Sequence, residues 1–115
     1  MIEKNNKISK INNILEEAKE ILFKLYKAKL IDILLYGSYA RGEEHEESDI
    51  DLAVIVNKNI KPFKEIDRII DEIYGIDLKY NVVLSIHPIS YKKFLKLNTP
   101  FLLNLKQEGI SLCQT

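Results

Sequence analysis

One stretch of the sequence decides the fold, and it runs Gly37-Ser38-Tyr39-Ala40-Arg41-Gly42, then Glu43 to Ser48, then Asp49-Ile50-Asp51. An apolar run, Ile31 to Tyr36, precedes it, and a second one, Leu52 to Val56, follows it. Short apolar runs rich in branched residues are typical of buried strands. The Gly-Ser pair therefore closes one predicted strand, and the two aspartates open the next.

The two aspartates, Asp49 and Asp51, stand at the start of the second predicted strand. Because side chains on a strand alternate between its faces, both carboxylates point the same way while Ile50 points into the core. Two carboxylates held side by side repel each other and are costly to bury without a cation. A divalent ion removes that cost, and hard oxygen ligands suit Mg²⁺ or Mn²⁺. The pair therefore predicts a metal site.

The Gly-Ser turn predicts a second part of the same site. Glycine lets a backbone approach a phosphate closely, and the N–H groups at the start of a following helix bind anions. Ser38 adds a hydroxyl, and the guanidinium of Arg41 is a forked donor for phosphate. A phosphate cradle and metal-binding carboxylates that face one cleft together indicate nucleotidyl transfer.

This pattern resembles the signature of the nucleotidyltransferase superfamily that includes DNA polymerase beta and the kanamycin nucleotidyltransferases. The positions that match are Gly37, Ser38, Arg41, Gly42, Ser48, Asp49 and Asp51. Given its length, the chain is most similar to the minimal nucleotidyltransferases, the MntA-like antitoxins paired with HEPN-domain toxins. The resemblance implies an α+β fold with a polymerase-beta-like core, in which helices pack on a small mixed β-sheet of three to four strands. We expect residues 1–115 to form a single domain.

The resemblance also implies an enzyme that transfers a nucleoside monophosphate, AMP from ATP with Mg²⁺, to a hydroxyl acceptor. The implied acceptor is a tyrosine of a cognate HEPN toxin, which the modification would silence, so the chain acts as the antitoxin of a toxin–antitoxin pair. Asp49 and Asp51 are then the catalytic and metal-binding residues. The nucleotide-binding residues are Gly37, Ser38, Tyr39 and Arg41.

Two tyrosines flank the Gly-Ser turn, and either ring can stack on a base. Tyr36 finishes a predicted strand, where its ring belongs to the core, whereas the turn places Tyr39 by the mouth of the cleft. We therefore expect Tyr39 to be the nucleotide-binding ring.

The sequence departs from the superfamily at the third carboxylate, which usually comes from a neighbouring strand. Two metal ions about 3.5–4 Å apart need enough ligands to hold both. The third predicted strand, Tyr80 to His87, has no acid on its expected site-facing side, so the third carboxylate is either Asp77, just before the strand, or absent. His87 is either a base or weak ligand, or only a surface residue at a strand end. This departure leaves an alternative function, a catalytically weak or inactive antitoxin that neutralises its partner by binding.

Composition restricts the remaining classes of function. Seventeen Lys and Arg residues balance seventeen Asp and Glu residues, so we expect no direct nucleic-acid binding. No apolar run approaches the roughly 18 residues that a membrane span needs, the polar N-terminus is unlike a signal peptide, and Cys113 is the only cysteine. These features predict a cytoplasmic protein without a membrane partner.

The acceptor surface is expected to come from outside the chain. Antibiotic-modifying relatives carry an added helical domain that helps to form the acceptor site, and this sequence has none. A partner protein or a second copy of the chain must supply that surface, which leaves a homo-oligomer possible.

The apolar pattern predicts helices around this sheet. Ile8 to about Lys27 has the three- and four-residue spacing of an amphipathic helix. Pro62 begins a second helix, which Gly75 is expected to end. Pro88 is expected to end the third strand, because proline cannot continue a central ladder.

The last third of the chain predicts two short helices and an extended end. The first helix runs from Ser90 to Leu97. The second has Asn98 or Thr99 as its cap and Gly109 at its end. An extended piece follows from Ile110 to Cys113.

Overall fold

A computed structural model describes residues 11–45 and 49–113, apart from the side chain of residue 62. Helices and strands are interspersed along the chain, which confirms the predicted α+β class. In chain order they are α1 (Asn12–Tyr26), β1 (Leu30–Tyr36), α2 (Ser38–Arg41), β2 (Ile50–Val56), α3 (Pro62–Tyr80), β3 (Leu84–Ser90), α4 (Tyr91–Lys96), α5 (Pro100–Glu108) and β4 (Ile110–Ser111).

Within the described ranges, four strands form one mixed sheet in the order β3-β2-β1-β4. β1 is antiparallel to both β2 and β4, whereas β2 and β3 are parallel. A parallel pair needs a crossover connection, and α3 supplies it. This sheet of four strands agrees with the predicted mixed sheet of three to four.

The core lies on both faces of the central strand β2. On one face, α1 and α3 cover a large cluster that includes Leu22, Ile33, Leu52 and Ile69. The other face carries a smaller cluster, which joins the sheet to α5 and consists of Leu34, Ala53, Ile55, Leu102 and Leu105. Since side chains alternate along a strand, Asp51 shares this second face with Ala53 and Ile55. The second aspartate therefore lies at the end of the sheet near α5.

The predicted end of α3 at Gly75 is wrong, because the helix continues to Tyr80. Ile76 is buried against the main cluster one residue after the glycine, so helical packing continues past it. The helix ends instead at Asn81, whose φ of 54° is left-handed. Asparagine tolerates this conformation better than most residues.

The predicted limits of the third strand are also wrong, since β3 begins at Leu84 and passes through Pro88. The start is later because Tyr80 still belongs to α3. The strand continues through proline because, among the described residues, β3 is an edge strand that pairs with β2 alone, and an edge tolerates the missing N–H.

The remaining helix ends agree with the pattern to within a few residues. α1 ends at Tyr26, and its predicted start at Ile8 lies outside the described residues. Of the two caps considered for α5, Thr99 is used, because its Oγ1 accepts a hydrogen bond of 3.3 Å from the Leu102 N–H. Within the described ranges, none of the helices is both long and apolar enough to cross a membrane.

Candidate active site

The β1–β2 hairpin brings the two halves of the sequence motif into contact. Tyr36 pairs with Asp51 across the two strands, and Gly37 follows at once. Gly37 has a φ of 75°, and a Cβ added to it would overlap Asp51 Oδ2 and lie 3.1 Å from its Cγ. Only glycine satisfies both the backbone conformation and this close approach. The turn and the second aspartate therefore share one small volume.

The residues after Gly37 form the single helical turn α2. Its backbone is closed by hydrogen bonds from Arg41 N to Gly37 O (3.2 Å) and from Glu43 N to Ser38 O (2.9 Å). Ser38 is the first residue of α2, and Gly42 ends it with a φ of 72°. Helix geometry leaves the first N–H groups of such a turn without intrahelical acceptors. The turn thus has the donors that a phosphate cradle needs.

Arg41 lies at the end of this turn with an exposed guanidinium. Its Nε donates to Glu43 Oε1 at 2.6 Å, and its other branch donates to Glu108 Oε2 at 3.4 Å. These carboxylates hold the guanidinium beside the cleft at Gly37. Because both ion pairs are exposed, they are weak enough to yield to a more highly charged anion.

The two aspartates favour a cation. Burial and then the charge of Asp49 raise the pKa of Asp51, while the nearby His87 and Arg41 lower it, with a net upward shift. Asp49 itself is exposed. A group whose charge is disfavoured by a second carboxylate gains from a bound divalent ion. The donor set therefore fits a hard metal ion, with two protein carboxylates as ligands.

A third carboxylate does not join this pair in the part of the chain that is described. Ser85 is the residue of β3 that pairs with Asp51. Asp77 is near enough for the charge of Asp49 to raise its pKa, after the larger effect of burial, but its Oδ1 accepts the Leu84 N–H at 3.1 Å. Across residues 11–45 and 49–113, no group of three His, Cys, Asp or Glu residues is placed to hold a metal.

His87 lies on β3 two residues beyond Ser85 and makes a specific contact. Its Nδ1 is 2.6 Å from the hydroxyl of Tyr36, and both rings pack edge-on or tilted against Phe101. Burial, followed by the charge of Asp51, raises the pKa of Tyr36 to about 12. His87 is thus placed near the aspartates by Tyr36, rather than standing alone at a strand end.

The cleft beside Gly37 has a volume of about 220 Å³. It is lined by Tyr36, Gly37, Arg41, Phe101, Asn104, Leu105 and Glu108. Tyr36 packs against the smaller core cluster, as expected, and it also lines this cleft, whereas Tyr39 was expected at the cleft and does not line it. Tyr39 packs against the main core cluster, and burial raises its pKa.

Sequence reasoning missed the residues that α5 contributes to this cleft. Phe101, Asn104 and Glu108 are spaced by three and four residues on the side of α5 that its buried leucines leave free. This spacing was visible in the sequence, but only the fold shows that α5 packs beside the Gly-Ser turn. Ser48 and the loop residues 46 and 47 lie outside the described residues.

Residues 15–108 match the family model described as the nucleotidyltransferase domain. The chain belongs to this family. The match spans both strands of the hairpin, the Gly-Ser turn and α5, so the enzyme class predicted from the motif is confirmed. This nucleotidyltransferase domain also has relatives that are similar along almost their whole length.

One such relative is a protein of Methanocaldococcus jannaschii whose name proposes protein adenylyltransferase activity. It is 37% identical over 102 residues, which cover 89% of this chain and 98% of the relative. A second protein of the same organism, with the same kind of name, is 39% identical over 93 residues, covering 77% and 91%. Both alignments include most of the described fold.

Solved structures share the fold of this nucleotidyltransferase. A Sulfolobus solfataricus protein described as a nucleotidyltransferase has a TM-score of 0.65 at 14% identity, covering 95% of this chain and 85% of that one. A toxin–antitoxin structure with AMP-PNP has a TM-score of 0.58 at 21% identity, covering 87% and 73%. A variant of the MntA–HpeT toxin–antitoxin pair has a TM-score of 0.57 at 21% identity, covering 90% and 72%. These likenesses confirm the predicted MntA-like fold.

Proposed function

We propose that the chain transfers AMP from ATP to a tyrosine hydroxyl of a cognate HEPN toxin and thereby acts as its antitoxin. The observation that carries the proposal is the contact between Gly37 and the Asp51 carboxylate, which joins a phosphate cradle to a pair of acids. The names of the Methanocaldococcus relatives support a protein acceptor. The toxin–antitoxin neighbours support a toxin as partner, and the one solved with AMP-PNP supports ATP as donor.

The reaction requires one bond to form and one to break. The acceptor oxygen attacks the α-phosphorus of ATP, the bond from that phosphorus to the α,β-bridging oxygen breaks, pyrophosphate leaves, and the acceptor proton passes to solvent water. Positioning and charge stabilisation account for most of the catalysis in such transfers. The residues that supply them here are Gly37, Ser38 and Arg41 for the phosphates and Asp49 and Asp51 for the acid pair.

Each of these residues has a distinct task. Gly37 lets the turn approach the triphosphate, and Ser38 offers its hydroxyl and backbone N–H. Arg41 exchanges its exposed carboxylate partners for phosphate oxygens, since charge-assisted bonds to phosphate are the stronger ones. Tyr39 remains a predicted nucleotide-binding residue, although its ring packs on the core.

Asp49 and Asp51 would hold Mg²⁺ or Mn²⁺. When bound, the ion would neutralise the phosphate charge and orient the α-phosphorus. With two protein carboxylates, the remaining ligands would be substrate oxygens and water, which is a usual arrangement for Mg²⁺. We place this chemistry in the cytoplasm, where ATP is available.

One observation favours a second candidate function. Among the described residues, no third carboxylate, cysteine or histidine completes a metal cluster with the two aspartates. A chain that binds nucleotide weakly could still neutralise a toxin by contact alone. The same experiment separates the two functions.

The test uses ATP labelled at the α-phosphate, with Mg²⁺, the purified chain and the protein encoded beside it. Transfer predicts that label appears on the neighbour and disappears in the Asp49→Asn/Asp51→Asn variant. A matched control is Asp67→Asn/Asp71→Asn, which also removes two negative charges, from two exposed aspartates on α3. It should leave labelling intact.

Other results of this test are equally informative. A stable complex without label, which the Asp49→Asn/Asp51→Asn variant still forms, would replace the enzyme by the contact antitoxin. Label on the chain itself would place the acceptor on this chain and not on the neighbour. Omitting Mg²⁺ and adding a chelator should abolish labelling, and unchanged labelling would remove the metal from the proposal.

A further inference from the structure

Helix α5 forms one wall of the cleft with side chains that its core packing does not use. Leu102 and Leu105 are buried against the sheet. Phe101, Asn104 and Glu108 line the cleft, together with one edge of Leu105. Because residues three and four apart share a helix face, this wall presents an aromatic ring, an amide and a carboxylate in succession.

The aromatic part of the cleft is held in place from the sheet. The centroids of Tyr36 and Phe101 are 5.6 Å apart at an interplanar angle of 77°. The Tyr36 hydroxyl is fixed by the 2.6 Å contact with His87 Nδ1. Phe101 nevertheless stays 41% exposed. An aromatic surface is therefore left open to a ligand.

The size and polarity of the cleft restrict that ligand. At about 220 Å³ it is smaller than the roughly 300–1,000 Å³ of pockets that enclose drug-sized molecules. It can take one flat ring system, not a whole nucleotide. The Asn104 amide can donate and accept hydrogen bonds at once, as the edge of a nucleobase requires.

The position of the cleft connects it to the phosphate end of the site. Gly37 and Arg41 belong both to its lining and to the turn described above. Tyr36 directly precedes that turn and pairs with Asp51. A ligand with phosphates at the turn therefore has its remaining part within reach of α5.

We propose that this cleft binds the base of the donor nucleotide. Phe101 and Tyr36 form its aromatic wall, and the Asn104 amide reads the edge of the base. The inference rests on the proposed function and deepens it, because it names the residues that select ATP. A tyrosine of the acceptor fits less well, since a phenol has one hydroxyl for the polar groups of α5, whereas a base edge has several donors and acceptors.

The test compares two ligands that differ in the base. The affinities of ATP and of inorganic tripolyphosphate are measured with Mg²⁺ by isothermal titration, on the whole chain. Phe101→Ala should weaken ATP binding roughly tenfold, since stacking on an aromatic ring contributes that much. Its affinity for tripolyphosphate should stay the same.

The chain offers a matched control in Phe63. Like Phe101, it follows a proline at the start of a helix, and it is 85% exposed on α3. Phe63→Ala should change neither affinity. A second variant, Asn104→Leu, keeps the side chain's approximate size and removes its amide, so it should bring the ratio of ATP to GTP affinity towards one.

The possible failures can be told apart. If the unmodified chain binds neither ATP nor tripolyphosphate, the proposed function fails together with this inference. If it binds ATP and Phe101→Ala weakens both ligands equally, or neither, only the base site is overturned. If Phe101→Ala leaves ATP affinity unchanged and raises the KM for the acceptor protein, the cleft belongs to the acceptor and the inference is wrong.

Discussion

Replacing Gly37 by alanine tests the contact on which the candidate site depends. The backbone of Gly37 has φ 75° and ψ −155°, a region that is almost restricted to glycine. Holding another residue there costs on the order of 1–3 kcal/mol. The new Cβ would also overlap the Asp51 carboxylate, which must then move or be displaced. We therefore expect Gly37→Ala to lower the free energy of unfolding by about 2 kcal/mol or more.

A double-mutant cycle separates the two contributions. Asp51→Ala removes the carboxylate but leaves the backbone conformation of Gly37 unchanged. In the Asp51→Ala background, Gly37→Ala should lower the free energy of unfolding only by the cost of the strained backbone at residue 37. The coupling energy between the two residues should therefore be about 1 kcal/mol, within the range found for residues in contact.

Urea unfolding followed by circular dichroism measures all four members of the cycle. With a slope of about 2 kcal/mol per molar for a small domain, a loss of about 2 kcal/mol moves the midpoint by about 1 M. Gly75→Ala is the control, because its Cβ would meet nothing within 4 Å, and it should stabilise the helix by about 0.5–1 kcal/mol. An equal cost of Gly37→Ala with and without the Asp51 carboxylate would refute the steric argument.

Three further predictions concern charge and hydrogen bonding. The Asp49→Asn/Asp51→Asn variant should have a melting temperature equal to or above that of the unmodified chain. The difference in melting temperature should grow as pH rises from 3.8 through the raised pKa of Asp51. A lower melting temperature of the variant at pH 7 would contradict an open acidic site. Glu65→Gln should lower the free energy of unfolding by about 2 kcal/mol at pH 7. This loss should disappear in acid, as pH falls below 4.5 through the lowered pKa of Glu65. A loss of stability that does not depend on pH would contradict a stabilising charge on Glu65. Tyr36→Phe should lower the free energy of unfolding by at most about 1 kcal/mol, because the contact with His87 is lost, and it should leave ATP affinity unchanged. A large loss of ATP affinity would show that the Tyr36 hydroxyl itself binds ATP.

The reason for the Glu65 prediction is its buried setting between three donors. Its carboxylate accepts from the hydroxyl of Tyr26 at 2.7 Å, from Lys58 at 3.3 Å and from Arg68 at 3.4 Å. Burial raises its pKa, but these partners together lower it by more. The charged form is thus the stabilising one.

The sequence was sufficient for the part of the fold where local pattern and chemistry agree. The apolar runs around the motif predicted β1 and β2, and the spacing between Gly37 and Asp51 predicted that they face one site. The alternation of side chains along β2 then correctly placed Asp51 on the opposite face of the sheet from Ile50. In each case the deciding information lies within about fifteen residues of chain, which is the range over which strand and turn signals act.

The errors arose where distant packing overrode a local signal. Gly75 is a helix-ending residue by propensity, yet the burial of Ile76 continues α3 beyond it. Pro88 ends a central strand but not an edge strand, and its place at the edge depends on the strand order of the whole sheet. The α5 wall could not be predicted because Phe101 meets Tyr36 across 65 residues of sequence.

The division of the site between a hairpin and a peripheral helix has a consequence for how such a protein can change. Gly37 lies against the Asp51 carboxylate, so a side chain at residue 37 would force that carboxylate to move. Phe101, Asn104 and Glu108 occupy the outer side of α5, where substitution leaves the buried leucines and the sheet intact. Under the proposed function, the hairpin keeps the phosphate end of the site constant, whereas substitutions at these exposed positions of α5 would alter the choice of nucleotide.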